Sequence, residues 1–375
     1  MIEKESLQDS NIWCPDVYKN IFVDRVNDDR LRIAPCCQAD QMIESIENFD
    51  FAASSYLSQI RQEFSQGKFA KACNRCQHDE SVNKFSRRQS VIGFYDKVDR
   101  NIQLESIDFS STWACNLACV MCNEQYSSTW ARELNVDQQR LHQLGRRITR
   151  SQVFLDHLDL RAVKRVHING GEPLINDDHL LILHRLQELG KLGEVNVSYN
   201  TNGTQQPSTE AIELWKKCKL VMIYFSIDGT EQSYEYIRWP ANWSQTAKNL
   251  LDLRDTLPSN IMFGFNVTVA AYNIFEIADV LSWFKYNYST NREKDPSGFS
   301  YQTAKNFDPK FLCKQAKQAA IQRLEQIDEL GGIVVDLKNH INHAAIDDWC
   351  DQLDKIDQRR GTDWRQVLQV GKYYL

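Results

Sequence analysis

The sequence of 375 residues predicts an α/β fold, and three observations lead there. From residue 105 onward, six strand-like runs (107–112, 165–169, 194–200, 220–228, 261–270 and 299–303) alternate with helix-like segments. That is the pattern of parallel strands joined by helical crossovers. Several of these runs alternate apolar with polar residues. The chain is also long enough for one large α/β barrel, which takes about 250 residues, plus a small domain. Six strands fall short of a closed eightfold barrel.

From the N-terminus, residues 1–80 form a cysteine-bearing region. Asn20–Arg25 and 31–34 read as two strands, and Asn27-Asp28-Asp29 between them has turn chemistry, so the pair is expected to be a hairpin. Cys14 precedes the hairpin and Cys36-Cys37 closes it. A helical stretch over 52–64 follows, and then the C-x2-C pair Cys73 and Cys76. Four cysteines around a hairpin make a candidate metal site, either iron–sulfur or a structural zinc ribbon, whose paired-cysteine logic is similar. Residues 81–104 read as a connector. Their polar run with Lys84, Arg87 and Arg88 is expected to be a solvated face.

Residues 105–305 carry the strands, with helices expected over 178–189, 209–218, 244–257 and 274–286. Val195, Val197 and Tyr199 share one face of their strand, and Asn196, Ser198 and Asn200 the other. Ile223, Phe225 and Ile227 alternate with Tyr224, Ser226 and Asp228; Val166 and Ile168 alternate with His167 and Asn169. A parallel strand buried on both faces is normally apolar throughout. The polar faces are therefore expected to line a hydrated, ligand-filled lumen, with the apolar faces against the helices.

The chemistry sits in the loops that follow the strands. Cys115-Asn116-Leu117-Ala118-Cys119-Val120-Met121-Cys122 holds three cysteines at C-x3-C-x2-C spacing. Thiolate-only ligation favours zinc or an iron–sulfur cluster. With three ligands, one iron of a [4Fe–4S] cluster stays open for a small molecule. Gly170-Gly171-Glu172-Pro173 follows the second strand. Paired glycines let a ligand approach the backbone, the proline fixes the loop exit, and the glutamate can accept hydrogen bonds from an ammonium group. Asn200-Thr201-Asn202-Gly203 ends the third strand and Ser226-Ile227-Asp228-Gly229 the fourth, with Arg238 beyond. Barrel enzymes place their chemistry at such C-terminal strand ends.

Together these motifs resemble the radical S-adenosylmethionine (radical SAM) superfamily, over residues 105–305 and more loosely over 11–80. The resemblance implies a partial (β/α)6 TIM-like barrel. It implies a [4Fe–4S] cluster on Cys115, Cys119 and Cys122 whose open iron chelates SAM. Gly170, Gly171, Glu172, Pro173, Asn200, Asn202, Ser226, Asp228 and Arg238 would contact SAM, Glu172 at its amino group and Arg238 near its carboxylate. An electron donor such as flavodoxin or ferredoxin would drive reductive cleavage of SAM to methionine and a 5′-deoxyadenosyl radical, which removes a hydrogen atom from the substrate. The N-terminal segment is similar to SPASM or twitch auxiliary-cluster segments, although here it precedes the barrel. That similarity implies a second [4Fe–4S] cluster on Cys14, Cys36, Cys73 and Cys76, with Cys37 as alternate. Three ligands there would leave an iron for substrate; four would suit electron relay or structure. Family members with auxiliary clusters often modify peptides by crosslinking, epimerisation or oxidation. A peptide substrate is therefore expected, with a small molecule or sugar as the alternative. The reading from another class is a non-catalytic iron–sulfur or zinc protein for electron transfer or assembly, which needs neither the GGEP loop nor a polar lumen.

Composition bounds the rest. A net charge of -6 gives no electrostatic case for nucleic acid. No apolar stretch approaches the ~18 residues of a membrane span. The charged start, Met1-Ile2-Glu3-Lys4-Glu5, argues against a secretory signal, so the clustered ones among the eleven cysteines read as metal or redox ligands in a reducing cytoplasm. Residues 306–375 are expected to be a helical extension, with one helix over 310–330 enclosing Cys313. Cys218 reads as core. His340 and His343, with Cys350 beyond, read as structural.

Overall fold

The computed structural model describes residues 12–25, 30–47, 49–82, 85–95, 98–143, 153–288, 298–344, 346 and 348–374. Nine strands occur among them: β1 (Asn20–Arg25), β2 (Arg30–Ala34), β3 (Met42–Ser45), β4 (Ser106–Thr112), β5 (Arg165–Gly170), β6 (Asn196–Thr201), β7 (Leu220–Ser226), β8 (Ile261–Val269) and β9 (Phe299–Thr303). The fold class is α/β, and β4 to β9 are the six expected strands. The chain packs into two compact units. The first comprises Met1–Ala114, Asp137–Tyr199 and Ser208–Val221; the second comprises Cys115–Val136, Asn200–Pro207 and Met222–Leu375.

In the first unit the strands run in the order β3-β2-β1-β4-β5-β6. β1 and β2 form the expected antiparallel hairpin, with Phe22 opposite Ala34. The turn residues Asn27, Asp28 and Asp29 lie outside the described residues. β1 also pairs in parallel with β4, Ile21 beside Ile107 and Val23 beside Phe109. All four side chains are buried, so each strand covers the other's apolar surface. β3 has no counterpart in the sequence reading, because its Met42 and Ile43 are about half exposed and no alternation marks it.

β4, β5 and β6 are parallel, and their register lines up two kinds of row. Ile107, Val166 and Val197 form a buried apolar row. Asp108, His167 and Ser198 form the polar row one residue further on, where His167 Nδ1 meets Ser198 Oγ at 2.8 Å. β6 starts at Asn196, later than the expected 194, because Leu192–Glu194 is a 3-10 turn. The connector also differs from expectation. Its helix Arg87–Ile92 is capped reciprocally by Ser86 and Gln89. Arg87 is not solvated: Nε donates to Asp16 at 3.0 Å and Nη2 to Asp108 at 3.3 Å. Both carboxylates are buried and require a cation. Arg88 is held by Glu80 at 2.6 Å. Lys84 lies outside the described residues.

In the second unit β7, β8 and β9 are neighbours in that order, with β8 and β9 parallel. Phe225, Phe263, Phe265, Trp283 and Phe284 form its aromatic core. The single helix expected over 310–330 is broken. A 3-10 turn Pro309–Phe311 leads to a helix Lys314–Leu324, and a further helix Gly331–Asn339 follows. Pro309 lacks the N–H that a helix interior needs. Cys313 is the N-cap of Lys314–Leu324 and only half-buried, not packed inside a helix. Helices Asp348–Arg360 and Trp364–Val367 complete the extension, with Trp349 and Trp364 fully buried against each other. No helix among the described residues is long and apolar enough to cross a membrane.

The C-terminal tail is tied to the helix Ile277–Tyr288 through carboxylates. Gln369 N donates to Glu276 Oε1 at 2.8 Å, and Gln369 Nε2 to Asp279 at 2.8 Å. Burial pushes the Glu276 carboxyl up to about 7. Folding therefore binds its proton more tightly. The associated stability is present below the unfolded value near 4.5 and is lost as pH rises to about 7. Urea midpoints should fall over that window by an amount equivalent to about 3–4 kcal/mol at most. Glu276→Gln should flatten the fall; an unchanged pH profile in the variant would contradict the assignment.

Candidate cluster and cofactor site

In the second unit the loop from Cys115 to Cys122 has almost no regular structure, yet its backbone is held at many points. Ser128 Oγ and Thr129 Oγ1 donate to the Cys115 carbonyl at 3.1 and 2.7 Å. Ser127 Oγ donates to the Leu117 carbonyl at 2.5 Å. Arg360 Nη2 donates to the Ala118 carbonyl at 2.8 Å, and Trp130 Nε1 to the Cys119 carbonyl at 2.8 Å. In the other direction, the amides of Ala118 and Val120 donate to the carbonyls of Trp239 and Ile237 at 2.6 and 2.8 Å. Cys115, Leu117 and Cys119 pack together, with Met121, Cys122 and Ala241 against them. Burial raises the Cys119 thiol, while the guanidinium groups of Arg238 and Arg360 pull it down. Burial pushes Cys122 up to about 12. A metal binding there must displace these protons.

The loop after β6 meets the same segment. Asn202 Nδ2 donates to Asn116 Oδ1 at 3.0 Å, and Asn116 Nδ2 donates to Thr204 Oγ1 at 2.8 Å. Gly203, at φ +73°, has no room for a Cβ, which would lie 2.6 Å from Leu250. Asp228 is fully buried and paired with Arg238 at 2.5 Å. Asp228 Oδ1 also accepts from Thr268 N at 2.6 Å. Burial raises the Asp228 carboxyl and Arg238 opposes it; at this separation the pair is ionised. Arg238, expected near a carboxylate of SAM, thus spends part of its fork on the protein's own carboxylate. Its Nη1 lies 3.9 Å from Cys119 Sγ. Ser226 and Asn200 are half-buried at their strand ends.

In the first unit the GGEP loop is explained by backbone packing. A Cβ on Gly170, at φ +140°, would lie 2.4 Å from the Thr112 carbonyl oxygen; one on Gly171 would lie 2.3 Å from that of Ala114. Gly171 N donates to Thr112 O, and Glu172 N to Ala114 O at 2.8 Å. The glycines thus let the chain leave β5 in close contact with the exit of β4. Glu172 is 1% exposed, and its Oε1 accepts from Leu174 N at 3.0 Å, capping the turn Pro173–Ile175.

Also in the first unit, Cys14, Cys36, Cys73 and Cys76 line one pocket together with Asp16, Arg87 and Arg88. None of the four forms a disulfide. Burial, then the nearby Asp16, raises the thiols of Cys14 and Cys36; burial pushes Cys73 up to about 12. Cys36 faces the pocket, whereas Cys37 is exposed and outside its lining. Three separated segments therefore present four thiols to one space, a donor set that suits an iron–sulfur cluster or zinc. Among the described residues no three His, Cys, Asp or Glu converge on a single ion. The thiolates of an iron–sulfur cluster bind different irons and need not converge that closely.

Elsewhere, Cys218 is buried at a helix end, as the sequence suggested. His340 Nδ1 lies 2.8 Å from the Asp336 carbonyl, and Cys350 is buried in the helix Asp348–Arg360. Sequence reasoning missed Asn116, Thr204, Trp130 and Arg360. Ser127-Ser128-Thr129 had a legible signal, since hydroxyl residues ahead of a helix are N-cap candidates. Arg360 had none.

Residues 109–278 match the family model described as the radical SAM superfamily. The mycofactocin maturase MftC of Mycolicibacterium smegmatis is 30% identical over 118 residues, covering 32% of this chain and 26% of that protein. The MftC of Mycobacterium ulcerans is 28% identical over 144 residues, covering 38% and 34%. The chain therefore matches only about a third or less of these relatives' length. Among solved structures, native anSMEcpe with bound AdoMet is similar at TM-score 0.40 and 18% identity, covering 61% of this chain and 62% of that one. Streptococcus suis SuiB is similar at TM-score 0.37 and 14% identity, covering 81% and 70%.

The packing of Gly171 makes a direct prediction. Gly171→Ala must push β5 away from Ala114, and overpacking of this kind costs about 1–3 kcal/mol. Chemical denaturation should show that loss, and a variant of unchanged stability would mean the two backbones are not in contact.

Proposed function

We propose that the chain is a radical SAM enzyme that holds a [4Fe–4S] cluster on Cys115, Cys119 and Cys122 and cleaves SAM reductively to initiate hydrogen abstraction from a peptide. The observation that carries this reading is the Cys115–Cys122 loop: three cysteines outside any disulfide, on a backbone held at four carbonyls, inside the segment that matches the radical SAM superfamily. The cluster and SAM together would supply the radical chemistry. The protein would orient them. Gly170, Gly171, Glu172, Pro173, Asn200, Asn202, Ser226, Asp228 and Arg238 are the proposed SAM contacts, and an external one-electron donor such as flavodoxin or ferredoxin is required. A peptide is favoured because the matched relatives are maturases. In this reading residues 105–305 form the catalytic barrel and 1–80 an auxiliary-cluster region, joined by 81–104, with 306–375 as an extension. The free thiols suit a reducing compartment such as the cytoplasm.

Anaerobically prepared protein should contain about eight iron and eight sulfide per chain if both thiol sets hold [4Fe–4S] clusters. Changing Cys115, Cys119 and Cys122 to Ala should remove about half of each. With a strong reductant the protein should release 5′-deoxyadenosine, and Glu172→Ala should weaken SAM binding while leaving the cluster spectrum intact. Zinc without sulfide at Cys115, Cys119 and Cys122 would sink the reading.

The pocket of Cys14, Cys36, Cys73 and Cys76 supports a second cluster, with Cys36 favoured over Cys37 by its position in the lining. Such a site ties three chain segments together, so metal binding contributes to local folding. Removing Cys73 and Cys76 together should speed hydrogen exchange in the first 80 residues and abolish substrate turnover. The cluster on Cys115, Cys119 and Cys122 should still form. Full turnover with an ordered N-terminal region would show these thiols to be incidental.

A further inference from the structure

The C-terminal extension has no motif, yet one of its residues reaches the cluster-binding loop. Arg360 ends the helix Asp348–Arg360, and its side chain is 3% exposed. The guanidinium faces four partners at once. Nε and Nη2 grip the Glu133 carboxylate at 3.1 and 3.0 Å. Nη2 also donates to the Ala118 carbonyl at 2.8 Å. The plane lies over Trp130, 4.7 Å from its centroid, and 5.8 Å from that of Trp239. Each partner holds the loop in its own right. Trp130 Nε1 donates to the Cys119 carbonyl, and the Trp239 carbonyl accepts from the Ala118 amide. Glu133 ends the helix Ser128–Glu133, whose first turn supplies hydroxyls to Cys115.

A buried Arg at such a place is costly unless its charge and its fork are both used. Here Glu133 compensates the charge, the indole faces add cation–π attraction, and the fork joins a helix end to a loop carbonyl. Ala118 lies between the first two cysteines of the C-x3-C-x2-C run. Rotation of the Ala118 peptide would turn Cys115 and Cys119 relative to each other. Removing the guanidinium would leave the Glu133 carboxylate with only Arg359, whose Nε lies 3.5 Å away, and would free that peptide.

We propose that Arg360 is a positioning residue for the cluster-binding loop, and that residues 306–375 are in this way part of the cluster site. The inference rests on the proposed function. Its role is indirect, because Arg360 acts through Ala118, Glu133 and Trp130 and not on a thiol.

The test uses the full chain and three readouts. Arg360→Gln should raise hydrogen exchange at the amides of Ala118 and Val120 in the metal-free protein. After iron–sulfur loading, the same variant should lose iron to a chelator about tenfold or more faster, the usual scale for partners that support metal ligands. Its reduced-cluster resonance signal should also respond differently to SAM. Arg360→Lys keeps the charge over Trp130 but cannot bond Glu133 and Ala118 as a fork, so it should fall between. Should Arg360→Gln fail to fold, the milder Arg360→Lys carries the same three readouts. Arg365→Gln, which breaks the Arg365–Asp354 pair in the same extension, is the control. It should lower stability and leave loop exchange and iron retention unchanged. If Arg360→Gln and Arg360→Lys both match the wild type in loop exchange and iron retention, the inference is wrong. It is equally wrong if Arg365→Gln disturbs the loop as much as Arg360→Gln does. A wild-type protein that takes up no iron at Cys115, Cys119 and Cys122 overturns the proposed function itself, a result distinguishable because it appears before any substitution.

Discussion

An eight-residue loop that must aim three thiols cannot rely on helix or sheet hydrogen bonds to hold its shape. The Cys115–Cys122 segment meets that constraint by borrowing partners. Its carbonyls take donors from Ser127, Ser128 and Thr129 just downstream, from the Trp130 indole, and from Arg360, which is 242 residues away. Its amides of Ala118 and Val120 borrow carbonyls that follow Tyr236. Each of these groups, buried and unpaired, would cost about 1–3 kcal/mol. The loop, the helix Ser128–Glu133, the Ile237–Trp239 segment and the C-terminal helix are therefore mutually dependent.

Buried charge is handled in the same spirit. Asp228 and Arg238 lie together at 2.5 Å, and Asp16, Asp108 and Arg87 form a triad. Lys19 is enclosed by Asp99 and Glu105. A pair of this kind adds little net stability over apolar packing, but breaking one costs heavily because it leaves a bare charge. Such groups specify geometry more than they add stability. Arg87 illustrates it: one guanidinium links the helix Pro15–Lys19 to β4 and borders the four-cysteine pocket.

The glycine pair shows how packing of the chain against itself can constrain a residue type. Gly170 and Gly171 are required because the backbone at the end of β4 and just beyond it, Thr112 to Ala114, passes within 2.4 Å of where their Cβ atoms would sit. Strand exit decides the residues, and the shape of the loop follows. Glu172 is then placed as the cap of the next turn, with its carboxylate oriented by the Leu174 amide.

Much of the fold was legible from the sequence because local chemistry encodes it. Period-two alternation placed β5 to β7 within a few residues, and the paired turn and strand signals found the β1–β2 hairpin. Cysteine spacing marked both thiol sets, since three or four soft ligands in short register have few other uses. Local chemistry did not determine β3, whose exposed Met42 and Ile43 carry no alternation, or the parallel pairing of β1 with β4, which depends on residues about 85 positions apart. It misread Arg87 as solvated, because a basic residue looks alike in a linker and beside two buried carboxylates. Arg360 was invisible for the same reason: its importance comes from the carbonyl, carboxylate and indole faces that tertiary packing collects around it. The sequence by itself determined which side chains could bind soft metal and where strands would run; tertiary structure alone decided which distant groups hold those side chains in place, because hydrogen-bond and ion-pair partners are chosen by proximity in space and leave no periodic trace along the chain.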